Sequence, residues 1–591
     1  MRRTKVASIA LAILAATSVT GPATATAVVP IVPGTAIEHP GSFSQAGLGA
    51  VDYRGRSAGP PAAGCSGIAA AATRGNVTVS LATSYPATPV TPAFCDVQGT
   101  IKGAIGFEIA LPASWNRRLY VWGNGGWAGE PYEQFTTNRD NALAAGFVYA
   151  HTNTGHTGCS AGPGCASVFT NPTVLLDWAY LSVHLLAGVA KAVTREYYGF
   201  GVEHSYFEGC STGGRQAMVE AQRYPADFDG IIAGDPANLG TNLYLSGSWV
   251  AQAYFKGPFT LAQANTIGAR LIAKCGERAN GVPLGVIEDP RTCAFDPKKD
   301  GAGLSAAQLA AYETIVGGAV NKHGRIAYGE VLGAEFGTGY TYVLPPAPVN
   351  IGYWTPISIE DYASGFLQYL APYKQPGATF SMTGFDFNTN TYQLEPIRKV
   401  VDSFDPDLSA FAARGGKLIG YHGWADPLIP PYDTVDYYES TWNVMGEAAT
   451  RNFYREFMVP GMGHCGDVLG GYGPDTFDMM TPLVDWVEQG VPPDAIVASS
   501  APNFESGLPF SSPPPGPWTS RILCAYPEEA AYVSGDPFKY TSFKCENGLT
   551  GLPSPRIDTP AKEFGGSDDA AGVRANAPPL AAAGHSRRGR I

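Results

Sequence analysis

The alternation of apolar and polar positions predicts the secondary structure of most of the chain. Short apolar runs, typical of strands, occur at residues 77–81, 105–111, 118–123, 147–150, 228–234, 416–421 and 453–459. Helix-like patterns follow several of these runs, as at residues 215–224 and 476–489. Strands that alternate with helices predict an α/β fold built on a mainly parallel, doubly wound sheet.

A longer helix is predicted to begin at Asn171 and Pro172. Asparagine is a suitable N-cap, proline suits the first helical turn, and Gly199 ends the pattern. The apolar stretch between them is long, but Asp177 and His184 interrupt it. We therefore expect a helix packed in the protein core and no membrane span.

The alternation of strands and helices stops after Asn238 and resumes near residue 414. The intervening residues 239–413 contain Gly- and Pro-rich loops and many aromatic residues, which indicates a separate lid domain. We therefore predict a sheet domain in two parts, residues 28–238 and 414–553, with the lid inserted between them. Residues 554–591 are rich in Gly, Ala, Pro and charge, which predicts a disordered tail.

The length and charge of the chain indicate how many structural units it has and which partners are excluded. A chain of 591 residues is too long for one core of ordinary size, which agrees with two or more structural units. Its formal net charge is −12, and its body contains no sustained basic run. Both features argue against nucleic acid and anionic membranes as partners.

Residues 1–27 have the three parts of a secretory signal peptide. A charged start with Arg2 and Arg3 precedes a short apolar core at residues 7–17, and Ala25-Thr26-Ala27 is a small-residue cleavage site. The apolar core is shorter than the ~20 residues that span a bilayer. We therefore expect a secreted, extracellular protein.

The ten cysteines fit an extracellular location, because disulfides persist in oxidising compartments. Their number is even, so all of them could be paired, although spacing alone does not fix the connectivity. Sequence neighbours suggest four pairs, namely Cys65 with Cys95, Cys159 with Cys165, Cys275 with Cys293, and Cys524 with Cys545. Cys210 and Cys465 then remain as a fifth pair, far apart in the sequence.

The stretch Glu208-Gly209-Cys210-Ser211-Thr212-Gly213-Gly214 carries the strongest sign of chemistry. It contains a Gly-x-Ser-x-Gly motif between a strand-like run and a helix-like run. A strand, a sharp turn and a helix form a nucleophile elbow, in which the turn exposes the serine hydroxyl. The flanking glycines allow close backbone approach. The same motif also occurs in ordinary loops, so it needs partners elsewhere in the chain.

A nucleophilic serine needs a general base and an acid that orients the base. In the α/β-hydrolase order, the serine precedes an Asp or Glu, which precedes a histidine. Asp426 comes just after one predicted strand downstream of Ser211, and His464 just after the next. His422 is a rival base, but it precedes Asp426, so we expect it to position the Asp426 loop. The order predicts an α/β-hydrolase-type catalytic domain.

Two cysteines stand beside these residues, because Cys210 precedes Ser211 and Cys465 follows His464. A disulfide needs Cα atoms roughly 4.4–6.8 Å apart, so a bond between these cysteines would bring Ser211 within reach of His464. Alternatively, this disulfide only stabilises the fold, because it closes a long loop of the chain. The two interpretations are compatible.

The oxyanion of an acyl-transfer reaction needs preorganised N–H donors. The backbone N–H of Thr212 follows the nucleophile, and that of Gly126 lies in a glycine-rich turn at residues 124–129. We predict these two groups as the donors. An ordinary cluster of glycines between a strand and a loop is the alternative interpretation of the turn.

The sequence resembles the tannase and feruloyl esterase family, which also includes bacterial esterases of terephthalate monoesters. The matching stretches are residues 205–216, 221–225, 227–230, 421–427 and 460–465. The resemblance extends over residues 60–240 and 410–545 and is looser through the lid.

This resemblance implies a role for each residue of the predicted site. Ser211 is the nucleophile, His464 is the general base and then the acid, and Asp426 orients the imidazole. A disulfide between Cys210 and Cys465 lies beneath them. The implied activity is hydrolysis of carboxylic esters.

Members of this family carry a calcium site in a lid loop, built on an Asp-Gly-x-x-Asp-Gly pattern between two cysteines. Here Asn280 and Leu284 stand where carboxylates would be, and Glu277 is the only acid left in residues 275–287. Calcium takes six to eight oxygen ligands, including carboxylates. We therefore expect weak or no calcium binding at Glu277 and Asn280, and no required cofactor.

The aromatic residues of the lid suggest an aromatic acyl group. No arginine lies between Arg325 and Arg398, so a carboxylate on the substrate would have only Lys374 as a partner there. We therefore expect esters of neutral phenolic acids, as for a feruloyl esterase or tannase. Terephthalate monoesters are the alternative within the family. A serine peptidase and a non-catalytic extracellular binding protein that retains the fold are alternatives from other classes.

Overall fold

The structure is a computed structural model. It describes residues 60–158, 163–301, 303–335, 359–370, 382–466, 469–499 and 520–548. The predicted signal peptide and the predicted tail lie outside the described residues, and so does Cys159.

The strands of the described residues are listed here in chain order: β1 (Val77–Tyr85), β2 (Phe94–Ile101), β3 (Ile105–Pro112), β4 (Arg118–Trp122), β5 (Val148–Thr152), β6 (His204–Cys210), β7 (Gly230–Gly234), β8 (Arg278–Ala279), β9 (Val282–Pro283), β10 (Ala319–Asn321), β11 (Gly324–Ala327), β12 (Lys417–Gly423), β13 (Tyr454–Val459), β14 (Met462–His464), β15 (Leu469–Gly471), β16 (Thr476–Phe477), β17 (Ala495–Ser499), β18 (Ser520–Cys524), β19 (Glu528–Tyr532) and β20 (Phe543–Asn547).

Nine strands form one sheet in the order β1-β2-β3-β5-β4-β6-β7-β12-β13. From β5 to β13 every neighbouring pair is parallel, whereas the pairs β1–β2, β2–β3 and β3–β5 are antiparallel. The predicted α/β class is confirmed, but the sheet is mixed. A short turn between consecutive strands permits only antiparallel pairing, and β2 and β3 are joined in this way.

The α-helices of the described residues are Cys65–Ala72, Thr136–Ala144, Pro163–Ala166, Pro172–Leu176, Ser182–Tyr198, Thr212–Arg223, Gly240–Lys256, Leu261–Cys275, Ala306–Gly317, Ile359–Gly365, Glu395–Val401, Ser409–Ala413, Pro431–Met445, Glu447–Arg451 and Met480–Gln489. A π-helical turn, Asp177–Leu181, joins two of them into one run from Pro172 to Tyr198.

The ends of this long helical run follow the sequence prediction. The Asn171 side chain accepts a hydrogen bond from the N–H of Thr173, and Gly199 closes the run in the left-handed conformation at φ 83°. Pro172–Tyr198 is the one described helical run that is long and apolar enough to cross a membrane, and 44% of its most apolar window is buried in the protein. Several apolar residues of Ser182–Tyr198 belong to a core of the sheet domain.

Two hydrophobic cores lie on opposite faces of the sheet, because alternate residues of a strand point to opposite sides. Leu119 and Val121 of β4 pack with residues of the helices Ser182–Tyr198 and Thr212–Arg223. The alternate residue Tyr120 packs in the other core, which includes residues of the helices Thr136–Ala144 and Met480–Gln489. The sheet therefore has helices on both faces, as the doubly wound pattern predicts.

The chain leaves the sheet at Gly234 and returns at Lys417, although β7 and β12 are neighbours in it. Apolar residues from this intervening part form most of a third core, with Ile267, Tyr312 and Phe366 among its buried members. This arrangement is compatible with an inserted lid, whose boundaries at residues 239 and 413 stay a prediction.

One predicted helix begins later than expected. The sequence pattern placed its start at residue 476, but Thr476–Phe477 is the short strand β16, which pairs with β17. The helix itself is Met480–Gln489. Phe477 is apolar and buried like the helix residues, so its side chain did not separate strand from helix in the sequence.

A buried ion pair links this helix to the sheet, and it generates a testable prediction. Arg118 of β4 donates from Nε and Nη2 to both carboxylate oxygens of Glu488, at 2.6 and 2.7 Å, and both side chains are buried. We expect Glu488→Ala to lower the free energy of unfolding by about 3–5 kcal/mol, because it removes the carboxylate that neutralises a buried guanidinium.

The matched control is the neighbouring exposed pair Arg117–Glu203. We expect Glu203→Ala to change the free energy of unfolding by about 0–1 kcal/mol, because solvent screens exposed pairs. Urea unfolding followed by circular dichroism measures both variants. Equal losses would show that Glu488 contributes no more than a surface charge.

Candidate active site

Ser211 lies in a strained turn between β6 and the helix Thr212–Arg223. Its backbone has φ 64° and ψ −120°, a conformation that costs a non-glycine residue about 1–3 kcal/mol. Its N–H donates to the carbonyl of Gly234 at 3.0 Å, and its carbonyl accepts from Ala237 at 3.1 Å. The end of β7 therefore holds the turn in place. The geometry is that of the nucleophile elbow predicted from the sequence.

The glycines around Ser211 are required by close backbone packing. A Cβ on Gly209 would lie 2.7 Å from the Cα of Gly213. A Cβ on Gly213 would lie 3.0 Å from the carbonyl oxygen of Asn124. The elbow thus packs directly against its own helix and against the glycine-rich turn that follows β4.

A disulfide joins the loops that carry Ser211 and His464. The Cα atoms of Cys210 and Cys465 are 5.9 Å apart, and 255 positions separate them in the sequence. His464 Nδ1 lies 2.7 Å from Asp426 Oδ2. Asp426 Oδ1 accepts from the N–H groups of Leu428 and Ile429, which fix the carboxylate. The structure therefore brings together the three residues predicted as a triad.

Charge distribution favours the ionised form of the pair formed by Asp426 and His464. Burial alone would raise the pKa of Asp426, but the adjacent His464 and His422 hold this pKa well below its usual range. Burial opposes a charge on His464, yet the Asp426 carboxylate raises the pKa of the imidazole above its ordinary value. An imidazole so placed is a stronger base than an isolated one.

The Ser211 side chain is half-buried. Within the part of the chain that the structure describes, its hydroxyl forms no hydrogen bond to His464. Catalytic hydrogen bonds are often long before substrate binds and shorten in the complex. The disulfide thus joins the loops that carry the two residues, and the serine hydroxyl has no hydrogen-bond partner among the described groups.

The two predicted oxyanion donors lie on segments that contact each other. The Thr212 hydroxyl donates to the carbonyl of Gly126. Among the described residues, neither backbone N–H has an acceptor. Glu130 holds the turn through bonds from the Asn124 side chain and the Gly125 N–H, each at 3.0 Å. The two predicted donor groups thus lie on segments held by hydrogen bonds, and their role stays a prediction.

Three more disulfides join Cys65 to Cys95, Cys275 to Cys293, and Cys524 to Cys545. Cys165 is also disulfide-bonded, but its expected partner Cys159 lies outside the described residues. The pairs between sequence neighbours agree with the suggestion made from spacing.

Glu277, which the sequence offered with Asn280 as a weak calcium candidate, is paired with a cation of the protein itself. The Glu277 carboxylate accepts from the Arg521 guanidinium, which also pairs with Glu288. Asn280 lies in a turn at φ 49° between β8 and β9. In the described part of the chain, neither residue belongs to a group of acidic, histidine or cysteine side chains close enough to share an ion. The Arg521 side chain thus supplies the positive charge beside Glu277.

The lid packs against the glycine-rich turn at residues 124–129 through Trp127. The indole N–H donates to the Tyr244 hydroxyl at 2.9 Å, and Tyr362 packs edge-on at 5.3 Å. Tyr362, Phe366, Tyr369, Phe385 and Phe387 of the lid belong to the lid core or pack against it. Other aromatic residues of the lid, at residues 340–354 and 373–380, lie outside the described residues. An aromatic surface that binds the substrate therefore stays a prediction.

Two carboxyl groups near the site were missed in the sequence. Asp235 follows β7 directly and hydrogen-bonds to Gly423 and Cys465. Glu330 of the lid is buried, and burial together with nearby Asp426 raises its pKa well above the usual range. The signal for Asp235 was available, because it follows a strand next to the elbow strand. Glu330 gave none, because its neighbours are set by the lid fold.

Comparison with known proteins identifies the family. The model of the tannase and feruloyl esterase family matches residues 88–546. The chain belongs to this family. An uncharacterized esterase of Xanthomonas campestris pv. campestris is 32% identical over 522 residues, which cover 78% of this chain and 87% of that protein. The mono(2-hydroxyethyl) terephthalate hydrolase of Piscinibacter sakaiensis is 30% identical over 532 residues, which cover 77% and 85%.

The crystal structure of feruloyl esterase B from Aspergillus oryzae has the same fold. Its TM-score is 0.67 at 24% identity, and the match covers 82% of this chain and 99% of that one. The resemblance seen in the sequence is confirmed, and so is the α/β-hydrolase-type fold. As a member of this family, the protein is a carboxylic ester hydrolase.

The position of the Cys210–Cys465 disulfide generates a prediction about this family member. We expect the double variant Cys210→Ala, Cys465→Ala to lose roughly 100-fold or more in kcat/KM, because small displacements of reacting groups cost about that much. Hydrolysis of p-nitrophenyl acetate, measured well below the melting temperature, tests this loss.

The matched control is the double variant Cys524→Ala, Cys545→Ala, which removes a disulfide remote in sequence from the triad loops. It should lower Tm while kcat/KM stays within a few-fold of the parent. If the loss of kcat/KM follows the fall in Tm in the same way for both double variants, the Cys210–Cys465 disulfide stabilises the fold and has no special role in catalysis.

Proposed function

We propose that the protein is a secreted serine esterase that hydrolyses esters of aromatic phenolic acids through an acyl-enzyme on Ser211. The observation that carries this proposal is the junction of three strand-end loops. The Cys210–Cys465 disulfide joins the Ser211 and His464 loops, and His464 is hydrogen-bonded to Asp426. A serine, an imidazole and a carboxylate so arranged favour acyl transfer.

In the proposed mechanism, Ser211 Oγ bonds to the ester carbonyl carbon while His464 Nε2 accepts the hydroxyl proton. The N–H groups of Thr212 and Gly126 stabilise the oxyanion. The carbon–oxygen bond to the alcohol then breaks, and the alcohol takes the proton from His464. Water repeats the sequence on the acyl-enzyme and releases the acid. Asp426 keeps the imidazole oriented and stabilises its charged form.

The preference for neutral phenolic acyl groups rests on the lid. Glu330 is a lid acid near Asp426, and its environment is unfavourable for a second carboxylate. Arg398 contacts Asp402, and Arg291 forms a buried pair with Asp289, so neither cation is free for a substrate. A terephthalate monoester carries a carboxylate, so it is the second candidate, and the relative from Piscinibacter sakaiensis supports it.

An extracellular location is part of the proposal. The disulfides of the described residues and the signal-like sequence of residues 1–27 support it. The helical run Pro172–Tyr198 contributes to a core on the sheet, which supports its assignment as a core helix and not a membrane span. Small aromatic esters are the proposed substrates, and no nucleic acid partner is proposed.

Ser211 is tested by covalent labelling. We expect an organophosphonate to react with the protein at one equivalent of label per chain and to abolish ester hydrolysis. Ser211→Ala should escape labelling and lose roughly 10³-fold or more in kcat, because the triad acts as a unit. Mass spectrometry of the labelled peptide and ester hydrolysis measure these effects. An unlabelled but active Ser211→Ala would rule out the acyl-enzyme.

A substrate panel accompanies the labelling. Methyl ferulate, methyl gallate, mono(2-hydroxyethyl) terephthalate and a matched ferulic amide are compared by kcat/KM. The neutral phenolic esters should exceed the terephthalate monoester, and the amide should be the poorest substrate. A preference for the terephthalate monoester favours the second candidate, and hydrolysis of the amide at the rate of the ester favours a peptidase.

We also propose that the lid needs no calcium, because Arg521 supplies the positive charge beside Glu277. Excess EDTA should leave Tm and hydrolysis unchanged. Arg521→Ala should lower Tm, because it leaves Glu277 and Glu288 unpaired in a largely buried place. Lys298→Ala removes an exposed partner of Glu313 and should shift Tm little. A fall in Tm with EDTA would contradict the assignment.

A further inference from the structure

Asp235 lies at the centre of the three catalytic loops. It is fully buried and directly follows β7, which lies between β6 and β12 in the sheet. Its backbone N–H donates to the carbonyl of Tyr421 at 2.8 Å. Its φ of 34° is left-handed, a conformation that aspartate tolerates better than most residues. The backbone of Asp235 is thus attached to the central strands of the sheet.

The Asp235 carboxylate contacts all three loops. Oδ1 accepts from the N–H of Gly423, at 2.8 Å, at the start of the Asp426 loop. Oδ2 accepts from the N–H of Cys465, at 3.0 Å, next to His464. Oδ2 also lies 3.3 Å from the Sγ of Cys210, next to Ser211. A disulfide sulfur carries no hydrogen, so this third approach is a contact and not a donated bond.

We propose that Asp235 is a positioning residue of this esterase, whose carboxylate fastens the Asp426 and His464 loops to each other and whose charge strengthens His464 as a base. This inference rests on the proposed function of Ser211, Asp426 and His464. It assigns no bond-making step to Asp235.

A carboxylate suits this position better than an amide of the same shape. Two backbone N–H groups point at its two oxygens, and charge-assisted bonds to backbone donors are short and strong. An asparagine would satisfy one donor and turn its own NH₂ towards the other. Cys465 is held at φ 55°, so its loop needs such outside support to keep its conformation.

The charge on Asp235 acts on His464 through a buried, low-dielectric site. The pKa of Asp235 is raised to about 6, chiefly by burial and also by nearby Asp426, against the lowering effect of His422 and His464. Asp235 in turn contributes to the raised pKa of His464. The titratable groups that face Asp235 from the packed elements are His422, Tyr421, Asp426, Glu456 and His464.

The sign of the pH effect follows from these charges. His464 must be neutral to accept a proton, so activity falls as pH falls through its pKa. Removing the negative charge of Asp235 lowers the pKa of His464 and moves this acid limb to lower pH. In the unmodified protein, protonation of Asp235 adds a second loss below about pH 6.

The experiment compares the pH profile of kcat/KM for the full chain and for Asp235→Asn on methyl ferulate. We expect kcat to fall roughly 10- to 100-fold with KM nearly unchanged, because the reacting groups are misplaced and the substrate contacts are kept. The acid limb should move to lower pH. A purely structural role would lower kcat and leave the limb in place, which would overturn the proposal.

Asp402→Asn is the matched control. Asp402 is also fully buried, burial raises its pKa to about 6, and it accepts from the Thr241 N–H at 2.9 Å. Its described hydrogen bonds reach none of the three catalytic loops. We expect this variant to lower Tm comparably while the acid limb keeps its position. An equal displacement of the limb in Asp402→Asn would overturn the assignment to Asp235.

A second test uses the unmodified protein, so it does not depend on whether a variant folds. Below about pH 6 the logarithm of its kcat/KM should fall with a slope near two, because His464 and Asp235 both gain protons. Circular dichroism shows whether the protein stays folded there. A slope of one throughout would contradict the proposal. Phosphonate labelling at Ser211 in every sample separates this result from a failure of the serine mechanism.

Discussion

The site depends on one covalent constraint, the disulfide between Cys210 and Cys465. In the sheet, β7 and β12 lie between β6 and β13, so the ends of β6 and β13 are three strand spacings apart, or roughly 14 Å. The cysteine Cα atoms are nevertheless 5.9 Å apart. The chain after β13 must therefore turn back across the ends of the intervening strands. The disulfide holds it there and thereby places His464 beside the elbow.

Two features of the intervening strands make this crossing possible. At the end of β12, a Cβ on Gly423 would collide with the carbonyl of Met462, so only glycine lets β14 pass so closely. At the end of β7, the Asp235 carboxylate accepts from the crossing segment at Cys465. Ser211, Asp235 and Cys465 all have positive φ, and none of them is glycine. Each of the three cross-linked segments thus contains a strained backbone residue, and the cross-links keep this strain from relaxing.

The sequence predicted the parts of the site that local patterns determine. Ser211 and His464 were found because each follows a strand in a glycine-rich turn, in an order that acyl-transfer chemistry requires. Asp235 could have been noted as a strand-end acid, but its role was missed, because its partners Gly423 and Cys465 are about 190 and 230 positions away. Strand β2 was missed as well, since Cys95 and Asp96 break its apolar pattern, although both are buried in the sheet. Pairing across distant segments supplies information that no local pattern contains.

The lid and the glycine-rich turn at residues 124–129 pack together, so the lid contacts the segment that carries a predicted oxyanion donor. Trp127 belongs to the turn that carries Gly126, yet it packs in the lid core against Tyr244 and Tyr362. A Cβ on Gly365 would overlap the Trp127 ring, so the helix carrying it sits directly on the indole. Because Trp127 directly follows Gly126, we expect lid substitutions around the indole to shift the backbone N–H that we propose as an oxyanion donor. Such substitutions should therefore alter kcat as well as KM.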